Sequence, residues 1–70
     1  MKLLIEIFEG VPHIRDNGEF GTYTAYESGK LRKSFVRDYN TSSFPRAMSF
    51  ARKLIKLNKK PFDATRISEV

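Results

Sequence analysis

The 70-residue sequence predicts a small α+β domain, an antiparallel sheet of three to four strands packed against one C-terminal helix. Three observations predict it. Leu3, Ile5 and Ile7 alternate with other residues, the two-residue period of a strand. Two turn-prone clusters, Asp16-Asn17-Gly18-Glu19 and Ser28-Gly29, bracket a stretch rich in Tyr and Thr. Between Ala47 and Leu57, apolar residues recur at spacings of three and four, the period of an amphipathic helix.

The elements follow in order. Leu3 to Phe8 reads as the first strand, broken or bent at Gly10-Val11-Pro12. Asn17-Gly18 supplies the positive φ angles of a tight hairpin, and Phe20 to Glu27 forms the next strand. Ser28-Gly29 reads as a second turn, with Glu27 and Lys30 placed to pair across it, and Leu31 to Arg37 as the returning strand. After a polar connection, Ser43 offers an N-cap, and Pro45 is tolerated in the first helical turn, where its missing N–H needs no partner. The helix spans 44 to about 58 and Pro61 stops it; within the tail 61–70, Thr65 to Val70 is a candidate edge strand.

A two-residue turn at Ser28-Gly29 sorts the side chains. It sets Tyr26 opposite Leu31, Ala25 opposite Arg32, Thr24 opposite Lys33, Tyr23 opposite Ser34 and Thr22 opposite Phe35, and residues directly opposite share a face. Phe20, Tyr26, Leu31 and Phe35, with Thr22, Thr24 and Lys33, then face the helix. Tyr23, Ala25, Lys30, Arg32, Ser34 and Val36 face water. Phe44, Phe50 and Phe62 are expected in the core, because a small domain needs large aromatics to bury enough area.

Composition excludes several functions. With no Cys there is no disulfide framework, thiolate metal site or Cys nucleophile, and a single His cannot supply a His-rich metal centre. No nucleophile–base pair, carboxylate pair or phosphate-cradling glycine loop is evident, so no enzyme activity, metal or cofactor is expected. His13 reads as a surface or turn residue. The apolar run Leu3-Leu4-Ile5 stops at Glu6, too short for a membrane span, so a cytoplasmic domain without membrane contact is expected. A domain of this length buries only about 60% of its unfolded surface, so an economical core, dimerisation or a stabilising partner is expected.

The net charge of +5 is unevenly spread. Residues 1–27 hold Lys2 and Arg15 against Glu6, Glu9, Asp16, Glu19 and Glu27, a net −3. Residues 28–62 hold Lys30, Arg32, Lys33, Arg37, Arg46, Arg52, Lys53, Lys56, Lys59 and Lys60 against Asp38 alone, a net +9. Polarity of this kind points to an electrostatic partner.

Two surfaces follow from that segment. The open sheet face places Tyr23 and Ser34 beside Lys30 and Arg32, and the neighbouring cations Lys33 and Arg37 are counted with them as nucleic-acid contacts: cations neutralise phosphates, Arg and Lys reach guanine edges, and a Tyr ring stacks on an unpaired base. The bland alternative is an ordinary solvated sheet face. The helix places Arg46, Lys53, Lys56 and Lys60 along one polar stripe, widened by Arg52 and Lys59. An amphipathic helix needs a polar face in any case, but no acid interrupts the sequence between Asp38 and Asp63.

From Ile14 to Leu57 the chain resembles the arm-type DNA-binding domain at the N-terminus of phage-type tyrosine recombinases. The matching features are Asn17-Gly18 before an aromatic strand, Tyr23, the basic run Gly29-Lys30-Leu31-Arg32-Lys33, Phe35, and a helix after Thr41-Ser42-Ser43 with Ala47 inside it. The usual Trp is missing, an extra strand precedes the motif, and the link from Val36 to the helix is long. The resemblance implies three antiparallel strands backed by a helix, with Tyr23, Lys30, Arg32 and Ser34 reading DNA. It does not imply recombinase activity.

The expected function is therefore a small nucleic-acid-binding protein, with DNA a better fit than RNA. The alternative is a small phage-type inhibitor that docks on a host protein with an acidic surface. A homodimer through the edge of the first strand is compatible with either.

Overall fold

A computed structural model describes all residues from Met1 to Val70. Two long strands, β1 (Lys2–Asp16) and β2 (Thr22–Asp38), form an antiparallel hairpin. The helix α1 (Phe44–Asn58) follows, and β3 (Ala64–Glu69) returns to pair antiparallel with the first half of β1. The sheet order is β2-β1-β3. The α+β class, the three-stranded antiparallel sheet and the single helix are as the sequence predicts, and the last segment is an edge strand.

β1 is central because its first half is the most apolar stretch in the chain. Leu3, Ile5 and Ile7 are completely buried. Leu3 and Ile5 pack against Ala47, Ala51 and Ile55, the inward stripe of α1, with Phe35, Tyr39, Leu54 and Ile67 around them. Ala47 and Ala51 have no exposed surface, so small side chains let the helix lie close to the sheet. Pro45 sits in the first turn of α1, and the Ser43 carbonyl accepts the Ala47 N–H. The expected side-chain cap from Ser43 is not made. Its own N–H instead donates to Thr41 Oγ1.

The hairpin differs from the sequence reading in two places. Gly10-Val11-Pro12 does not break β1, and Ser28-Gly29 is not a turn: it lies inside β2. The only reversal between the strands is Asn17–Gly21, where Gly18 and Gly21 take positive φ and Phe20 belongs to a 3₁₀ turn rather than to a strand. The predicted cross-strand pairs therefore do not exist. Tyr26 lies opposite Pro12, Leu31 opposite Phe8, and Phe35 opposite Ile5. The proposed Glu27–Lys30 contact gives way to Glu27 with Arg15, with His13 3.5 Å away.

Glycine misleads here because a close approach needs the same residue as a turn. A Cβ on Gly29 would stand 2.4 Å from Val11 Cγ2, and one on Gly10 would stand 2.0 Å from the Phe62 carbonyl oxygen. The surplus residues of β2 are absorbed by register shifts between Ile7 and Gly10, a pair of β-bulges rather than a bend back.

β3 pairs with β1 only from Leu3 to Phe8, so the rest of the hairpin runs on as a two-stranded ribbon. The molecule is 51 Å long and about 20 Å across. Gly10, Pro12 and Ile14 share one face of the ribbon with Ser28, Tyr26 and Thr24, while Val11, His13 and Arg15 share the other with Glu27, Ala25 and Tyr23. Phe20 at the tip is 84% exposed.

Candidate nucleic-acid interface

The sheet half of the predicted surface is not assembled. Tyr23 and Ser34, expected to face each other, lie on one strand, about 35 Å apart at about 3.3 Å per residue. Tyr23 is on the ribbon, and Ser34 lies opposite Glu6 beside β3. Arg32, placed by the sequence on the open face, is drawn toward the end of the helix. Its Nε donates to Asp63 Oδ2 at 3.0 Å, its Nη2 donates to the same oxygen, and Nη2 also donates to the Asn58 carbonyl at 2.7 Å. Lys33 donates to Asn58 Oδ1. The guanidinium of Arg37 stands over the Phe35 ring, 5.2 Å from its centroid, and Lys30 is exposed in the bulged segment.

These contacts follow from the helix terminus. The last carbonyls of α1 lack intrahelical partners and form the negative end of the helix dipole. The Arg32 guanidinium meets one of them, Asn58 Nδ2 donates back to the Leu54 carbonyl, and the Lys59 N–H closes on Ile55. Asp63, buried beside them, completes the knot. Its carboxyl is held below the ordinary value of 3.8, first by the Lys60 backbone N–H, then against the opposing effect of burial by the hydrogen bond and charge of Arg32, and by the Gly10 N–H. Arg32 thus spends its charge inside the fold.

The helix half of the surface does assemble. Arg46, Arg52, Lys53 and Lys56 all project from α1 into solvent. Lys59 and Lys60, expected on the helix, lie just beyond it in the loop to β3 and are also exposed. None of the six meets a carboxylate; the ion pairs of the fold use Arg15, Arg32, Arg66, His13 and the amino terminus. Lys53 Nζ stands over the Phe50 ring at 5.9 Å, and Leu57, two turns beyond Phe50, is 85% exposed.

The three phenylalanines expected in the core lie outside it. Phe44 and Phe50 are each nearly half exposed, and Phe50 stacks on Tyr39. Phe62 is 59% exposed and stacks on Tyr26, ring centroids 3.9 Å apart and planes 8° from parallel. Phe62 is also the one non-glycine residue with positive φ, 70°, a conformation that costs an L-residue roughly 1–2 kcal/mol. The sequence reading passed over this pair. The run Lys59-Lys60-Pro61-Phe62, an aromatic one residue beyond a pair of cations in a Pro-containing turn, is the signal in the sequence.

No protein-family model matches the chain, and no match to it is found among the curated proteins or the solved structures. No helix is long and apolar enough to cross a membrane.

Proposed function

We propose that the protein binds nucleic acid through the phosphate backbone, using the outward face of α1 and the loop after it. One observation carries the reading: Arg46, Arg52, Lys53, Lys56, Lys59 and Lys60 are all exposed and none has an acidic partner. A helix that needed only solubility would mix both signs. An array of cations along one side of a 15-residue helix suits the regular negative charge of a nucleic-acid strand. The projecting ribbon adds reach, with Tyr23 half exposed on it. Arg32 and Lys33 support the helix end in this reading and do not contact the ligand.

Fluorescence anisotropy with labelled duplex DNA, single-stranded DNA and RNA tests it. With about four to six phosphate contacts, affinity falls roughly 10²- to 10³-fold between about 50 and 200 mM salt. Absence of binding to all three at low salt rejects the proposal.

A protein partner, such as the acidic surface of a host protein, is the second reading. Leu57 and Phe50 favour it, because apolar side chains among cations add nothing to phosphate binding and suit a mixed interface. Pull-down after nuclease treatment separates the two: a single stoichiometric protein retained supports this reading, and loss of all bound material opposes it.

A further inference from the structure

We infer that Tyr26 and Phe62 form a base-stacking platform, which makes the ligand a single-stranded nucleic acid. The inference rests on the phosphate-binding reading and adds what the cations alone do not specify.

The pair is built at some cost and left in the open. Phe62 adopts φ 70°, its carbonyl occupies the space a side chain on Gly10 would fill, and its ring lies flat on Tyr26. Hydrophobic burial does not explain this, since Tyr26 stays 42% and Phe62 59% exposed and neither belongs to the core around Leu3 and Ile5. The loop is also locked from behind. Asp63 accepts the Lys60 N–H at 2.9 Å, its own N–H returns to the Lys60 carbonyl, and Arg32 grips its carboxylate. Both rings are therefore fixed by rigid elements, Tyr26 by β2 and Phe62 by the locked turn.

Charge selects the occupant. Lys59 and Lys60 precede Phe62 by three and two positions and have no acidic partner, so the platform continues the cationic array of α1. A flat exposed ring next to unpaired cations matches a base next to its phosphate. Every base has a π-face, so stacking tolerates sequence, whereas a paired base inside a duplex has no free face to offer. Phe62 carries no hydrogen-bonding group to read a base edge. The preference it confers is for unpaired over paired strands, not for one sequence over another.

The test compares a single-stranded DNA with an abasic strand of equal length and charge. Wild-type protein should bind the base-bearing strand about tenfold or more tightly, and Phe62→Ala should lose most of that preference while keeping the salt dependence. Phe62→Tyr, which retains a ring, should keep the preference. If wild-type protein binds both strands equally, the platform is overturned while the phosphate reading stands. If it binds neither strand but binds duplex DNA, the platform falls and the phosphate reading stands; if it binds no nucleic acid, both fall. The wild-type comparison does not depend on any variant folding, and circular dichroism of the variants guards the rest.

Discussion

Arg32 and Asp63, thirty-one positions apart, are joined by a forked contact in which Nε and Nη2 of the guanidinium both reach Oδ2 of the carboxylate. The pair ties the bulged part of β2 to the turn before β3, and Nη2 extends the link to the end of α1 through the Asn58 carbonyl. Arg32→Ala should destabilise the fold by about 2 kcal/mol, as loss of a hydrogen bond to a charged group does. Arg32→Lys should recover only part of it, because an ammonium cannot reproduce the planar fork. Urea unfolding of the three proteins measures the order, and equal stability of the Ala and Lys variants would contradict it.

Acid should act through the same carboxyl. Because Asp63 has a lowered pKa in the folded state, its ionised form favours folding. That contribution is present above the ordinary carboxylate range and is lost as pH falls below about 4, through the folded-state value. The stability gap between wild type and Asp63→Asn should be widest near neutrality and close as pH falls. A gap that stays constant down to about pH 2 would remove Asp63 from the acid response.

Gly10→Ala tests the close approach of two backbones. The added methyl would meet the Phe62 carbonyl at 2.0 Å, so the strand or the turn must move. Destabilisation of about 1–3 kcal/mol is expected by chemical denaturation, the usual range for overpacking. Gly29→Ala meets Val11 Cγ2 at 2.4 Å and the Glu9 carbonyl oxygen at 3.2 Å, and since its closest clash is with a side chain rather than backbone it should cost less than Gly10→Ala.

Ile5 is wholly buried and paired on both edges, opposite Phe35 on one side and Ile67 on the other. Ile5→Ala should cost about 2–5 kcal/mol. In a domain with so few buried residues, the variant should be largely unfolded at ambient temperature by circular dichroism. Val36→Ala, on the exposed side of the sheet, is the control and should change little.

Lys56→Ala should weaken binding to every nucleic-acid sequence by a similar factor and reduce the slope of log K against log salt by about 0.9 on a duplex, or about 0.7 on a single strand. Lys33→Ala should leave the slope nearly unchanged if its ammonium remains with Asn58 rather than with phosphate. Titrations at several salt concentrations distinguish them.

The helix was legible because a repeat of three and four across 44–58 has no strand equivalent, and because Pro45 and Pro61 bracket it. The first apolar alternation was legible too, and Asn17-Gly18 marked the true reversal. The continuity of β1 and β2 was hidden. Gly10 and Gly29 serve as contact points for Phe62 and Val11, and a local reading cannot separate that use from a turn. Splitting β2 at Ser28 folded it onto itself on paper, and the supposed Tyr23–Ser34 neighbourhood followed from that error. The solvent-facing placement of Arg46, Arg52, Lys53 and Lys56 needed only helical period, whereas Lys59 and Lys60 fall beyond the helix end. Arg32 needed knowledge of Asp63, a residue remote in sequence, and was misplaced.

The separation of core from ribbon has a mechanical consequence. Leu3 and Ile5 hold the sheet to the helix, whereas the ribbon beyond Gly10 contributes nothing to the buried core. Beyond the Pro12–Tyr26 pair, where Tyr26 still touches Phe62, its length is therefore a free variable. Removing two residues from each strand, in register, would draw the tip inward by about 7 Å at about 3.4 Å per residue and keep every side chain on its original face. The span of the protein can change in such steps while the domain beneath stays the same.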